Sequence, residues 1–97
     1  MKSVAFHPEA EAEFIAAARY YEGQAEHLGL DFISAVERSY QRLMTFPESG
    51  HPFGRRLRRV LVPRFPYGLL YRANPDCIFI VAVAHLRRRP GYWRHRA

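Results

Sequence analysis

Cysteine is almost absent from this sequence, and its scarcity excludes two classes of small protein. Cys77 is the single thiol in a chain of 97 residues. It has no partner for an internal disulfide, and one thiol cannot build a cysteine-rich zinc site. The five histidines do not have the spacing of metal ligands either. We therefore expect no disulfide framework, no metal and no zinc finger, and a reducing cytoplasm as the setting.

Long apolar runs are missing as well. The longest, residues 77–84, is far shorter than the roughly 20 residues that a membrane-spanning helix needs. The N-terminal residues 1–8 contain a basic side chain but lack the apolar core of a signal peptide. No glycine-rich phosphate loop and no nucleophilic-serine motif occurs. The sequence thus predicts no membrane contact, no nucleotide or other cofactor, and no serine hydrolase chemistry.

Acidic residues are nearly missing from the second half of the chain. Residues 51–97 contain eleven arginines against Asp76 alone, a net charge of +10. Residues 1–50 contain four basic and eight acidic side chains, a net charge of −4. Arginine binds phosphate or carboxylate through two parallel hydrogen bonds and stays charged at physiological pH. The second half therefore predicts an anionic partner, which could be nucleic acid or an acidic protein.

Apolar residues are plentiful enough for a folded core. They make up 48% of the chain, and aromatic residues make up 14%, which is far above the content of a disordered sequence. A chain of this length holds only one modest core, so part of its stability is expected to come from a partner. We expect a single domain over residues 1–97.

The predicted elements follow the order β-α-α-β-β-β. Residues 3–6 form a short strand, Pro8 begins the first helix, Gly29 ends it, and the second helix ends before Pro47. Three strands follow, over residues 57–62, 67–73 and 78–84. The last is apolar on both faces and therefore central. These elements predict a two-layer α+β fold in which a helical hairpin packs on one face of a small, mainly antiparallel sheet.

The two helices differ in how clearly their apolar faces are marked. The first has a stripe at helical spacing formed by Phe14, Ala18, Tyr21, Ala25 and Leu28. The second has a continuous stripe formed by Phe32, Ile33, Val36, Tyr40, Leu43 and Met44. Glu9 and Glu13 are four residues apart on the first helix, and we expect such a pair to line a solvated face.

Three segments of the chain resemble one known superfamily. They are Phe6-His7-Pro8-Glu9-Ala10 before an alanine- and glutamate-rich helix with Tyr20-Tyr21, residues 64–72 (RFPYGLLYR), and residues 82–93 (AVAHLRRRPGYW). Together with the element order, they resemble the RelE/ParE toxins of type II toxin-antitoxin systems, of the plasmid-stabilisation type. The resemblance implies a RelE-like fold and a growth-inhibiting toxin in a bacterial or archaeal cytoplasm. It also implies a cognate acidic antitoxin that silences the toxin and through which alone operator DNA is contacted.

Two arginine clusters are candidates for contact with a target. The tail after residue 85 interleaves arginines with aromatic rings, a combination of charge for phosphate and flat faces for bases. The strand from Leu57 places at least one arginine at the border of the core. The alternatives are a tail that is solvated or covered by the antitoxin, and an edge strand protected by charge against aggregation. The candidate target-binding residues are Arg58, Arg87, Arg88, Arg89 and Trp93.

The superfamily contains two main activities. RelE-like members cleave messenger RNA on the ribosome, a reaction that requires a base, cations for the phosphate and an acid. The candidate catalytic residues for that reaction are His85, Arg64, Arg72 and Tyr92. His85 has an alternative role as a histidine that hydrogen-bonds the backbone at a strand end. ParE-like members instead poison DNA gyrase by binding it and have no such catalytic set.

One position distinguishes the two activities that the resemblance implies, messenger RNA cleavage and gyrase inhibition. Residues 66–71 align with a RelE-like pattern whose arginine is catalytic in many nucleases, and Gly68 stands in its place. Arg64 and Arg72 are each four residues from Gly68, so they keep its face if the strand is regular. The missing arginine and the His85 motif after Val-Ala favour gyrase inhibition. A RelE-like messenger RNA endonuclease and a non-toxic nucleic-acid-binding module remain as alternatives.

Overall fold

The structure, a computed structural model, describes residues 2–88 and 90–96. Arg89, one of the predicted target-binding residues, lies outside the described residues. The elements are β1 (Ser3–Phe6), α1 (Pro8–Gln24), α2 (Leu28–Thr45), β2 (His51–Phe53), β3 (Leu57–Leu61), β4 (Tyr67–Ala73), β5 (Cys77–His85) and a short 3₁₀ helix (Arg94–Arg96). None of the helices in this part of the chain is both long and apolar enough to cross a membrane.

The five strands form one mixed sheet in the order β1-β5-β4-β3-β2. β1 pairs with β5 in parallel, and the other neighbours are antiparallel. The predicted two-layer α+β fold is confirmed, and β5 is an interior strand flanked by β1 and β4, as its two apolar faces indicated. The prediction missed β2, because three residues that include Pro52 are too few to show an alternating pattern.

The link between the helices differs from the prediction. α1 ends at Gln24, and His27 adopts a left-handed conformation, with φ of 70°, before α2 begins. Gly29 does not end the first helix but lies in the first turn of α2. A Cβ atom there would lie 2.7 Å from the Ala18 carbonyl oxygen and 2.9 Å from Glu22 Cβ. Glycine is therefore required at this position because the two helices approach each other closely.

The main core lies between the helices and one face of the sheet. Phe32, Val36 and Leu43 of the predicted α2 stripe are fully buried, and they belong to the same cluster as Leu69 and Ile80 of the sheet. The predicted α1 stripe was only partly right. Its members Phe14, Ala18 and Tyr21 pack against the core beside the buried Ala10 and Ala17. Its other members, Ala25 and Leu28, lie beyond the end of the helix. The buried face of α2 could be predicted from the sequence because its apolar residues recur at helical spacing.

A β-bulge in β5 shapes the opposite face of the sheet. Leu70 pairs with Ala82 and Tyr71 pairs with Ile80, so Val81 has no partner of its own on β4. Val81 and Ala82 consequently belong to one apolar cluster on the face away from the helices. This second cluster positions the candidate site.

Candidate functional site

The C-terminal segment, residues 90–96, packs on the sheet face away from the helices. Trp93 is only 7% exposed and lies in a cluster with Leu57, Leu70, Val81 and other sheet residues. Its ring centroid is 5.6 Å from that of Phe53 and 5.1 Å from that of Tyr92. The tail is therefore folded onto the sheet and does not extend freely into solvent.

Arg96 fastens this segment to α1. Its guanidinium makes a bidentate pair with the Glu13 carboxylate, at 2.9 and 3.1 Å, and its Nε donates to Glu9 at 3.0 Å. The Arg96 side chain is 6% exposed. Burial alone would lower the pKa of Arg96, but the hydrogen bonds and charge of Glu13, with the charge of Glu9, raise it above its ordinary value. The guanidinium thus stays charged in a nearly water-free position.

Glu13 and Arg96 also form hydrogen bonds with the backbone of β5, along the part of its edge that β1 does not cover. β1 stops pairing at Ile80, where His7 donates its backbone N–H to the Ile80 carbonyl. Beyond that point, Val83 N–H donates to Glu13 Oε1 at 3.0 Å, and Arg96 donates to the Val81 carbonyl at 3.3 Å. Two charged side chains therefore take over the hydrogen bonds that a longer β1 would make.

This arrangement corrects the expectation for Glu9 and Glu13. Glu13 does not line a solvated face, since its side chain is 15% exposed and bonded on both oxygens. Glu9 is half exposed and hydrogen-bonded to His95 at 2.8 Å. That hydrogen bond, followed by the charges of Arg96 and His95, lowers the pKa of Glu9. The i,i+4 spacing could not reveal partners more than eighty residues away.

A groove of about 170 Å³ lies beside the Trp93 cluster. Its lining includes Arg59, Gly68, His85, Arg88 and Trp93. The Arg59 stem crosses Gly68 so closely that a Cβ atom at residue 68 would lie 3.2 Å from both Arg59 Cγ and Cδ. The Arg59 guanidinium lies over the Phe53 ring, 5.0 Å from its centroid. The space above Gly68 is therefore filled by an arginine from the neighbouring strand.

Arg59 was not singled out by sequence reasoning. Its position depends on strand register, because Arg59 pairs with Leu70 and Leu61 pairs with Gly68. The two side-chain positions at 59 and 68 are consequently diagonal neighbours on one face. A shift of one residue in this pairing would move Arg59 to the other face, so its place beside Gly68 is known only once the register is known.

Comparison with known proteins gives a family match over most of the chain. The model of the ParE toxin of type II toxin-antitoxin systems (parDE) matches residues 4–90. The chain belongs to the ParE toxin family. The resemblance seen in the sequence is thereby confirmed, and membership of a toxin-antitoxin system implies an antitoxin partner.

A solved structure has a similar fold. It is described as the chromosomal ParDE toxin-antitoxin system from P. aeruginosa, and it matches with a TM-score of 0.76. The alignment covers 90% of this chain and 98% of that chain at 18% identity, so the likeness concerns the fold. No curated protein matches the sequence significantly.

In this ParE-family chain, His85 lies at the end of β5 and makes a local hydrogen bond. Its Nδ1 accepts the backbone N–H of Arg87 at 3.1 Å, and its ring packs edge-on against Tyr67. An accepting Nδ1 places the proton of neutral imidazole on Nε2. The geometry corresponds to the alternative role, a histidine that hydrogen-bonds the backbone at a strand end.

Two guanidinium groups lie close to the Tyr92 ring. The Arg88 guanidinium carbon is 3.9 Å from the Tyr92 ring centroid, and that of Arg96 is 5.1 Å away. The hydroxyl is buried and has no hydrogen-bond partner among the residues that the structure describes. Burial, with a contribution from Glu13, raises the pKa of Tyr92 to about 12. The phenol is therefore held in its protonated form.

The structure does not bring the remaining catalytic candidates together. Arg64 lies in the turn before β4 with φ of 73°, so the expectation that it shares the strand face of Gly68 is wrong: β4 begins only at Tyr67. Arg72 is on β4, 5.2 Å from the Phe79 ring centroid, whereas His85 pairs with Tyr67. Tyr67 and Arg72 are five residues apart along β4, so these two positions in the sheet are separated by about 17 Å.

Some of the predicted target-binding residues have structural roles, and others are exposed. Arg58 donates to the carbonyls of Glu48 and Gly50, so it holds the loop after α2. Trp93 is buried in the second cluster. Arg87 and Arg88 are exposed, and Arg88 lines the groove with His85. Among the described residues, Arg59 and Arg88 are the arginines that line this groove, and Arg87 is exposed next to Arg88 in the sequence.

Proposed function

We propose that this chain is a toxin that inhibits DNA gyrase by binding it, and that a cognate acidic antitoxin silences it in the cytoplasm. Membership of the ParE toxin family supports the proposal. The observation that carries it is the site at Gly68, where a RelE-like nuclease has an arginine and this chain has a glycine covered by the Arg59 stem. Losing one well-aimed cation typically costs about 10²–10³-fold in rate for a charged transition state.

The contacts of His85 and Tyr92 support binding over chemistry. His85 has its Nδ1 occupied by a backbone N–H, and Tyr92 keeps its proton with a pKa of about 12. A phosphoryl-transfer site needs a base and an acid poised near neutral pH. An exposed basic surface over an apolar cluster is instead suited to holding an acidic partner.

Purified gyrase provides the test. Increasing amounts of the chain should inhibit supercoiling of relaxed plasmid, while messenger RNA in a ribosome-programmed reaction stays intact. Arg87→Gln/Arg88→Gln should lose the inhibition, because Arg88 lines the groove and Arg87, the preceding residue, is also exposed. The matched pair Arg38→Gln/Arg42→Gln removes the same charge from the exposed side of α2 and should inhibit fully. Unaffected gyrase together with cut message would refute the proposal.

Silencing by an antitoxin has a separate test. Residues 51–97 carry a net charge of +10, so the partner is expected to be acidic. Co-expression with an acidic reading frame beside the gene should give a stable complex and restore growth. If the chain expressed alone leaves growth unaffected and purifies without a partner, the toxin assignment fails.

One observation favours messenger RNA cleavage as a second candidate. The Arg59 guanidinium reaches the groove lined by His85 and Arg88, where it could replace the cation missing at residue 68. Arg59→Gln distinguishes the two functions. It should abolish ribosome-dependent cleavage if Arg59 stabilises the phosphate, whereas no cleavage by the wild-type chain removes this candidate.

A further inference from the structure

A second groove, of about 650 Å³, lies between the β2–β3 turn and the C-terminal segment. Its floor is apolar and is formed by Phe53, Leu57 and Trp93. Its rim has three arginines, Arg55 and Arg56 from the turn and Arg94 from the C-terminal segment. We call this surface the arginine-rimmed groove.

The three rim arginines are exposed and have no carboxylate partner among the described residues. Glu48 lines a neighbouring cavity together with Arg56 but is paired with Arg58, and Glu13 holds Arg96. Gly91 has a positive φ of 98°, and a Cβ atom there would lie 3.4 Å from Arg94 Nε. The C-terminal segment thus keeps the Arg94 side chain close to the wall of the groove.

From these contacts we propose that the arginine-rimmed groove binds an acidic segment of the antitoxin that inserts one bulky apolar side chain. The proposal rests on the proposed neutralisation by an antitoxin and specifies where and by what chemistry it occurs. Guanidinium forks match carboxylates in pairs, and the apolar floor accepts an aliphatic or aromatic anchor. The occupant would lie next to the groove of Arg59 and Arg88, with which this surface shares Phe53 and Trp93.

The aromatic rings of this surface argue against single-stranded nucleic acid. Stacking of bases requires open ring faces. Trp93 is 7% exposed and packs against Phe53 and Tyr92, and the Phe53 ring is covered by the Arg59 guanidinium. The arginines alone could attract phosphate, but the floor offers an apolar pocket and no stacking platform. The chemistry therefore favours an acidic peptide.

The test uses the full chain labelled with ¹⁵N and three probes. They are an acidic nonapeptide of glutamates around a central Leu-Phe pair, the same peptide with serines in place of that pair, and a ten-residue oligothymidylate. The first peptide should shift the Trp93 indole signal and the Gly54 and Gly91 amides, and the serine peptide should bind at least tenfold more weakly. Arg55→Glu/Arg56→Glu should weaken binding of the first peptide at least tenfold.

Two controls make the result decisive. Arg38→Glu/Arg42→Glu makes the same charge change on α2 and should leave binding of the first peptide unchanged. If Arg55→Glu/Arg56→Glu does not fold, Arg94→Gln takes its place and should weaken binding of that peptide. Absent shifts at millimolar peptide, equal binding by the turn variant, or shifts with oligothymidylate alone would each overturn the proposal. Gyrase supercoiling is measured with the same samples. Peptide binding without gyrase inhibition would then contradict the proposed function and leave the groove assignment standing.

Discussion

Glu13 and Arg96 are single residues on which the path of the C-terminal segment depends. Their bidentate contact joins α1 to the 3₁₀ helix and also satisfies backbone groups of β5. Breaking a buried ion pair by removing one partner is costly because the other charge is left buried. Removal of either partner is therefore expected to destabilise the fold more than removal of any exposed charge of the chain.

Glu13→Gln tests this expectation. With the Arg96 side chain 6% exposed, loss of the carboxylate charge should lower the free energy of unfolding by about 3 kcal/mol. Glu37→Gln on the exposed side of α2 should change it by less than about 0.5 kcal/mol. Urea denaturation of both variants measures the difference, and equal stabilities would show that the pair is dispensable.

Glu9 gives the fold a dependence on pH. Its pKa is lowered from 4.5, first by the hydrogen bond with His95 and then by the charges of Arg96 and His95. A lowered pKa contributes stability above the ordinary value, and this contribution is lost as the pH falls through the folded value. Glu9→Gln should therefore flatten the decline of the melting temperature below pH 4.5. Glu11→Gln, an exposed glutamate on the same helix, serves as control, and an unchanged slope in Glu9→Gln would contradict the account.

At the scale of elements, the loop between α2 and β2 is held by side chains of the sheet. The Tyr71 hydroxyl donates to the Pro47 carbonyl at 2.8 Å and accepts the Gly50 N–H at 2.9 Å. A Cβ atom at Gly50 would lie 2.5 Å from the Tyr71 hydroxyl oxygen, so glycine is required there. The long helices and β4 could be predicted from their periodicity, but this loop and β2 depend on contacts from distant strands.

Tyr71→Phe should destabilise the fold by about 1–3 kcal/mol, because the buried Gly50 N–H loses its acceptor. Tyr20→Phe removes a hydroxyl from a side chain on a residue that is 60% exposed and should be nearly neutral. Thermal unfolding of the two variants provides the comparison. A neutral Tyr71→Phe would mean that water replaces the hydroxyl and that the loop is not anchored by it.

At the scale of the whole molecule, the acidic and basic halves of the chain form different parts of the fold. The acidic first half forms β1 and the helical hairpin, and the arginine-rich second half forms the remaining sheet and the basic grooves. The uneven distribution of charge is visible in the sequence, where it predicts an anionic partner. It could not predict that Trp93 is buried or that Arg59 covers Gly68, since both follow from strand register and from the return of the C-terminal segment to α1.

Induction of the chain in growing cells tests the central claim most directly. DNA synthesis and messenger RNA integrity are followed together, by incorporation of labelled thymidine and by primer extension on abundant messages. The account predicts that DNA synthesis stops while messages stay intact, because Gly68 leaves the groove without the arginine of the RelE-like nucleases. Strong cuts in the messages within minutes, with DNA synthesis continuing, would contradict it and assign RNA cleavage to this groove.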